Sequence, residues 1–266
     1  MPNSDKLSVV VSLILLCLAL SLIIELPAKT FSFVVLGSTL MIGFSPNWLP
    51  VTLLVGIAYS GTKSIIRLHP LSRGEKHTCI FCILPGLATL LAAILLPRAP
   101  NPIYTLGGLA MMGILLPLMI TAEYRTVDPA TRGYRTTRLG LNFIAYLLAL
   151  VLCALIHDSK AEFLSAAAAL VGSSLLALDL LRGAQQSFRR TGLYALIVGL
   201  VMGEIFWALS YLMLNSLTAG VLLLLIFYLI TGLARQGLLE SLNRRILIEF
   251  AVVALIGLAL LLKYAP

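Results

Sequence analysis

This sequence is poor in charge. Only 11% of its 266 residues are charged, against about 25% in a soluble domain. That scarcity places the chain outside the soluble class before any segment is read. Histidine (three) and cysteine (four) are also scarce. The cysteines, Cys17, Cys79, Cys82 and Cys153, form no secreted disulfide framework. Cys79 and Cys82 spell a single C-x-x-C at a helix start, without a second pair. Neighbouring His69 and His77 do not complete a zinc spacing, so packing thiols are expected and no metal. His157, at an outer helix end, completes no bis-histidine haem site. There is no Walker A glycine loop, no G-x-S-x-G, no H-E-x-x-H and no paired-aspartate motif. No lysine sits inside an apolar run where it could hold a chromophore as a Schiff base. The familiar membrane-enzyme chemistries therefore have no footing, and no cofactor is expected. Period-two alternation is missing as well, which argues against a β-barrel.

Apolar residues fill the space, at 60% of the chain with a mean hydropathy of +1.02. They come in blocks approaching the roughly 20 residues that span hydrocarbon as a helix. Helices satisfy their own backbone hydrogen bonds, as lipid requires. The expected fold is all-α: a polytopic transmembrane helical bundle of about nine spans (8–10), one integral membrane domain over 1–266. The spans lie near 7–26, 31–59, 78–97, 103–121, 139–157, 162–181, 191–213, 216–234 and 246–263. The first block is too long for the apolar core of a cleaved signal peptide, and no small-residue cleavage site follows it.

Charge placement gives the orientation. Of 19 lysines and arginines, only Lys29, Arg98, Lys160 and Lys263 fall on one side of this topology; the other fifteen fall on the opposite side. The positive-inside rule then makes the N-terminus cytoplasmic and the C-terminus external, in an inner (plasma) membrane. The same count treats 31–59 as one long span broken at Pro46 and Pro50, since two spans would place Lys63, Arg67, Arg73 and Lys76 outside. The net charge of +8 therefore faces anionic lipid head groups. No basic stripe with interleaved aromatics points to nucleic acid. External loops are too short for a domain, so chemistry belongs in the bundle or at its cytoplasmic edge.

Glu204 is the most informative residue. It lies within "TGLYALIVGLVMGEIFWALSYLML", where a carboxylate costs a few kcal/mol on insertion scales. It is expected to face the bundle interior. Leu200, Trp207, Ala208 and Tyr211 share its helical face. Gly199 and Gly203 form a G-x-x-x-G that admits a close neighbour, and Ser173 and Ser174 lie at similar depth as hydrogen-bond partners. The intramembrane polar site is thus Glu204, Ser173, Ser174 and Tyr211, suited to proton transfer, a cation, a polar ligand group, or interhelical bonding alone. A second set lies at the cytoplasmic edge: Asn142, Asp179 and Arg182, with Arg138 close by, and Glu123 and Asp128 in the loop 122–138. An Asp–Arg pair tying helix ends at the interface accounts for Asp179 more simply than a polar cytoplasmic pocket does. Glu249 with Arg245 is an i, i+4 pair. Arg138, Arg190 and Arg245 open three similar helix starts, which any alternating topology also produces.

The patches "AEYRTVDP" (122–129), "RLGLN" (138–142) and "ALDLLRG" (177–183) resemble uncharacterised bacterial polytopic membrane protein families with no assigned activity. That resemblance implies an inner-membrane helical bundle and carries no site residue across. Two functions are open: a small transporter-like bundle or scaffold subunit among other membrane proteins, which is not an enzyme, and an embedded enzyme acting on a lipid at the cytoplasmic edge. Membrane lipids are the expected surroundings in either case.

Overall fold

A computed structural model of the chain describes residues 4–23, 29–35, 38–44, 48–69, 78–128, 130, 133–158, 162–184, 187–211, 215–240, 248, 250–252 and 255. The chain divides into two compact units, Met1–Thr131 and Arg132–Pro266.

The first unit starts with α1 (Ser4–Ile23), followed by an antiparallel hairpin of β1 (Lys29–Val35) and β2 (Ser38–Phe44). Its register runs from Lys29 opposite Phe44 to Val35 opposite Ser38. Then come α2 (Trp48–Ile66), α3 (Ile83–Leu95), which a 3₁₀ turn flanks on each side, and α4 (Pro102–Arg125). The hairpin corrects the expectation of one long broken span over 31–59. "KTFSFVV" and "STLMIGF" are rich in Thr, Phe and Val, which favour strands, and only two residues separate them. Pro50 is no break: it occupies the first turn of α2, where a missing N–H leaves no bond unmade. Pro46 lies outside the described residues. Two antiparallel strands leave and return at the same end, so the hairpin by itself adds no crossing to the topology expected from the charge count. α3 is the inner helix of this unit, with two thirds of its apolar window buried; it packs on α2 and α4, and α1 packs on those same two.

The second unit is α5 (Tyr134–Asp158), α6 (Glu162–Leu181), α7 (Phe188–Ser210) and α8 (Ser216–Leu238). α6 and α7 form its closest pair, α5 lies against α6 and α8, and α7 also meets α8. The reason for that close pair is local. A Cβ on Gly199 would stand 2.5 Å from the Leu170 carbonyl oxygen, and one on Gly203 would stand 3.1 Å from Leu170 Cβ. Only glycines allow the two backbones this approach. Phe206, Phe227, Leu141, Leu176 and Ala177 fill the core.

Seven described helices are long and apolar enough to cross a membrane, and Ser165–Leu181 of α6 adds a shorter apolar stretch. Their outer faces carry large apolar side chains in series: Leu13, Leu16 and Leu20 on α1, and Leu139, Phe143 and Leu147 on α5, each 44–71% exposed. Contiguous apolar surface of this kind has no stable place in water and a natural one in lipid. The chain is therefore an apolar helical bundle compatible with a multi-pass membrane protein. Of the ninth expected span, 246–263, only Ile248, Phe250, Ala251, Val252 and Leu255 are described, all helical. Arg245 and Glu249 are not among them.

Candidate functional site

Glu204 does not face the interior. It is exposed on α7, which corrects the expected arrangement. Gly199 and Gly203 must face α6, and one residue further along a helix turns about 100°, so Glu204 is carried off that contact. Ser174 finds its partner within its own helix. Ser173 is buried, and Ser174 Oγ donates to the Leu170 carbonyl at 2.8 Å. Glu204 instead belongs to an outward stripe of Leu193, Ile197, Leu200, Trp207 and Tyr211, each 45–69% exposed. The spacing alternates four and three residues, the period of a helix–helix seam.

The edge residues divide between the units. In the first, Glu123 is wholly buried in the last turn of α4 rather than in the loop expected for it. Thr126 Oγ1 donates to its carbonyl at 2.9 Å and lies 3.5 Å from Oε2. Asp128 caps a tight turn, its Oδ1 accepting the Ala130 N–H at 2.9 Å. Cys79 is exposed and Cys82 buried, both free thiols; the Cys82 thiol leans on the Thr78 carbonyl at 3.8 Å. His69 meets Tyr124 edge to face at 4.9 Å.

In the second unit, Asp179 is wholly buried between two arginines. Its Oδ1 lies 3.8 Å from Arg138 Nη1 and 3.6 Å from Arg182 Nη1. Arg138 Nη2 also donates to the Asp179 and Leu180 carbonyls, filling acceptors left open at the end of α6. A carboxylate held this way joins helix ends and is poorly placed to act as a base. Arg138 and Arg190 open similar sequences but do different work, since Arg190 makes an exposed 3.3 Å pair with Glu240.

Beside this cluster is a cavity of about 160 Å³, lined by Asn142 and Tyr146 of α5, Leu180 and Leu181 of α6, Tyr228, Thr231, Gly232, Arg235 and Gln236 of α8, and Phe250. Helical spacing builds it. Asn142 and Tyr146 are one turn apart, and Tyr228, Thr231 and Arg235 stand at i, i+3 and i+7 on one face. Thr231 Oγ1 donates to the Phe227 carbonyl at 2.6 Å, so the Tyr146 hydroxyl, 3.4 Å away, donates to Thr231. A Cβ on Gly232 would reach 2.5 Å from the Phe250 ring; the glycine lets that ring form a wall. Of these residues the sequence reading singled out only Asn142. The missed signal was the recurrence of polar side chains on one face of α8. Among the described residues no group of three His, Cys, Asp or Glu could hold a metal ion.

Two of the resemblance patches, 138–142 and 177–183, thus meet in space at the Arg138–Asp179–Arg182 cluster. No curated protein matches the chain. No solved structure matches it either. Residues 26–263, however, match DUF5656, described as a protein of unknown function, and the chain belongs to that family.

Proposed function

We propose that the chain is a subunit of a membrane assembly, docked to a partner transmembrane helix through the outer face of α7. The observation that carries this reading is Glu204, an exposed carboxyl within an apolar helix. α7 has 23 residues, roughly 34 Å of helix, so Glu204 lies about 7–8 Å from its midpoint. Side chains lean toward the helix N-terminus, which here is toward the bilayer centre, so the carboxyl cannot reach the nearer head groups. A partner helix offering a hydrogen-bond donor or a cation at that depth would remove the cost. Leu193, Ile197, Leu200, Trp207 and Tyr211 would supply the packing. The charge distribution supports nine spans in the cell membrane, with a cytoplasmic N-terminus.

Neither alternative role has comparable support. The described cavity does not include Glu204, so it offers no route for a transported solute past that residue. Asp179 and Glu123 are engaged in ion pairing and local bonding, which disfavours an edge enzyme built on them. The test is extraction of the full chain in mild detergent and measurement of particle mass. The docked state predicts a particle larger than one 28.7 kDa chain plus its micelle. A monodisperse monomer under all mild conditions would end the proposal.

A further inference from the structure

The cavity in the second unit has a polarity gradient along the helix axes. Arg235 and Gln236 lie within one turn of the end of α8. Thr231 and Asn142 lie about 10–12 Å inside their helix ends, and Tyr228 and Tyr146 about 15–18 Å inside. A cation thus sits at the rim, hydrogen-bonding groups at the waist, and aromatic surface at the floor. Asn142 Oδ1 is buried and, among the described residues, accepts no hydrogen bond. A buried amide oxygen without a donor is unfavourable, and a ligand hydroxyl would satisfy it. Arg138 and Arg182, both against the Asp179 carboxylate, lie directly beside Leu180 and Leu181 of the cavity wall. Among the described ion pairs none involves Arg235.

We propose that this cavity binds a phosphate ester that also carries a hydroxyl: the phosphate at Arg235, the hydroxyl on Asn142 Oδ1. Arginine suits the phosphate because its planar fork makes paired charge-assisted bonds. The volume of about 160 Å³ fits a glycerol-phosphate-sized group and not a whole lipid, so the acyl chains of a lipid ligand lie outside it. Gly232 keeps the Phe250 wall in place. Two sources share this chemistry, an anionic glycerophospholipid and a soluble glycerol phosphate. The site does not depend on the α7 docking face.

The experiment uses native mass spectrometry on the full chain in detergent, titrated with phosphatidylglycerol, with phosphatidylcholine, and with glycerol 3-phosphate. Wild-type protein is expected to hold one phosphatidylglycerol in preference to phosphatidylcholine. Arg235→Gln should lower that occupancy about tenfold or more, the size of a lost charged hydrogen bond, and Asn142→Leu severalfold. Arg189→Gln, an exposed arginine at the start of α7, should change nothing. Binding of glycerol 3-phosphate that competes with the lipid supports the site and names the soluble ester as a ligand. Lipid binding without that competition supports it and assigns the lipid. Equal affinity of the wild-type chain for both lipids with no glycerol 3-phosphate binding overturns the proposal, and needs no variant. Undiminished phosphatidylglycerol binding by Arg235→Gln overturns it as well.

Discussion

Replacing Glu204 by leucine separates two physical states by the sign of the outcome. In a lipid-exposed state the carboxyl contacts hydrocarbon, and a carboxylate near a span centre costs about 2.5–3.5 kcal/mol on insertion scales. Leucine gains roughly 0.3–0.6 kcal/mol there. Glu204 lies about 7–8 Å off the midpoint of α7, so the full swing is an upper bound; about 2 kcal/mol is a fair expectation. Glu204→Leu would then raise the melting temperature of the isolated chain and leave its particle mass unchanged. In the docked state the carboxyl bonds a partner, and an interhelical hydrogen bond in a membrane contributes about 0.6–2 kcal/mol. Leucine then weakens association roughly 3–30-fold, and the large particle dissociates on dilution in detergent. Glu204→Gln keeps a hydrogen-bonding group and should retain most of the association if the partner is a neutral donor. Analytical ultracentrifugation of the three proteins across a dilution series reads this directly. A Glu204→Leu protein that melts higher than wild type and sediments at wild-type mass would refute the reasoning.

Further expectations follow from the packing. Gly199→Val should destabilise the second unit by at least about 1–3 kcal/mol, the range for overpacking, because its side chain would enter the Leu170 backbone; a thermal melt checks this. Asp179→Ala should cost about 3–5 kcal/mol, since it leaves the buried Arg138 and the partly buried Arg182 without their shared carboxylate. Pairing Asp179→Ala with Arg138→Met should recover part of that loss in the same melt. Cys79 should react quickly with a maleimide in the folded protein, while Cys82 and Cys153, both buried, react only on denaturation. In intact cells Cys79 should label with a membrane-permeant maleimide and resist an impermeant one, as the charge rule requires for its side of the membrane.

What the sequence determined by itself is the set of helices and their class. Transfer of an apolar run from water is a local property, so α1, α4, α5, α7 and α8 could be read from composition and length alone. The cation distribution is read on the same local footing and leads to the proposed orientation without knowledge of which helices touch. The hairpin over Lys29–Phe44 was equally local but was hidden, because high hydropathy and two prolines looked like an interrupted helix.

Only the tertiary structure decided which way the polar side chains face. Glu204 and Gly203 are adjacent in sequence, and the helix turns them apart; which one faces inward depends on the approach of α6, and the glycines settle it. The Arg138–Asp179 pair joins residues 41 apart in sequence, so it exists only once α5 lies against α6. The cavity behind Asn142 likewise needs α5, α6, α8 and Phe250 together. Hydrophobic partition is summed residue by residue along the chain, while the facing of a polar group is set by packing between helices distant in sequence.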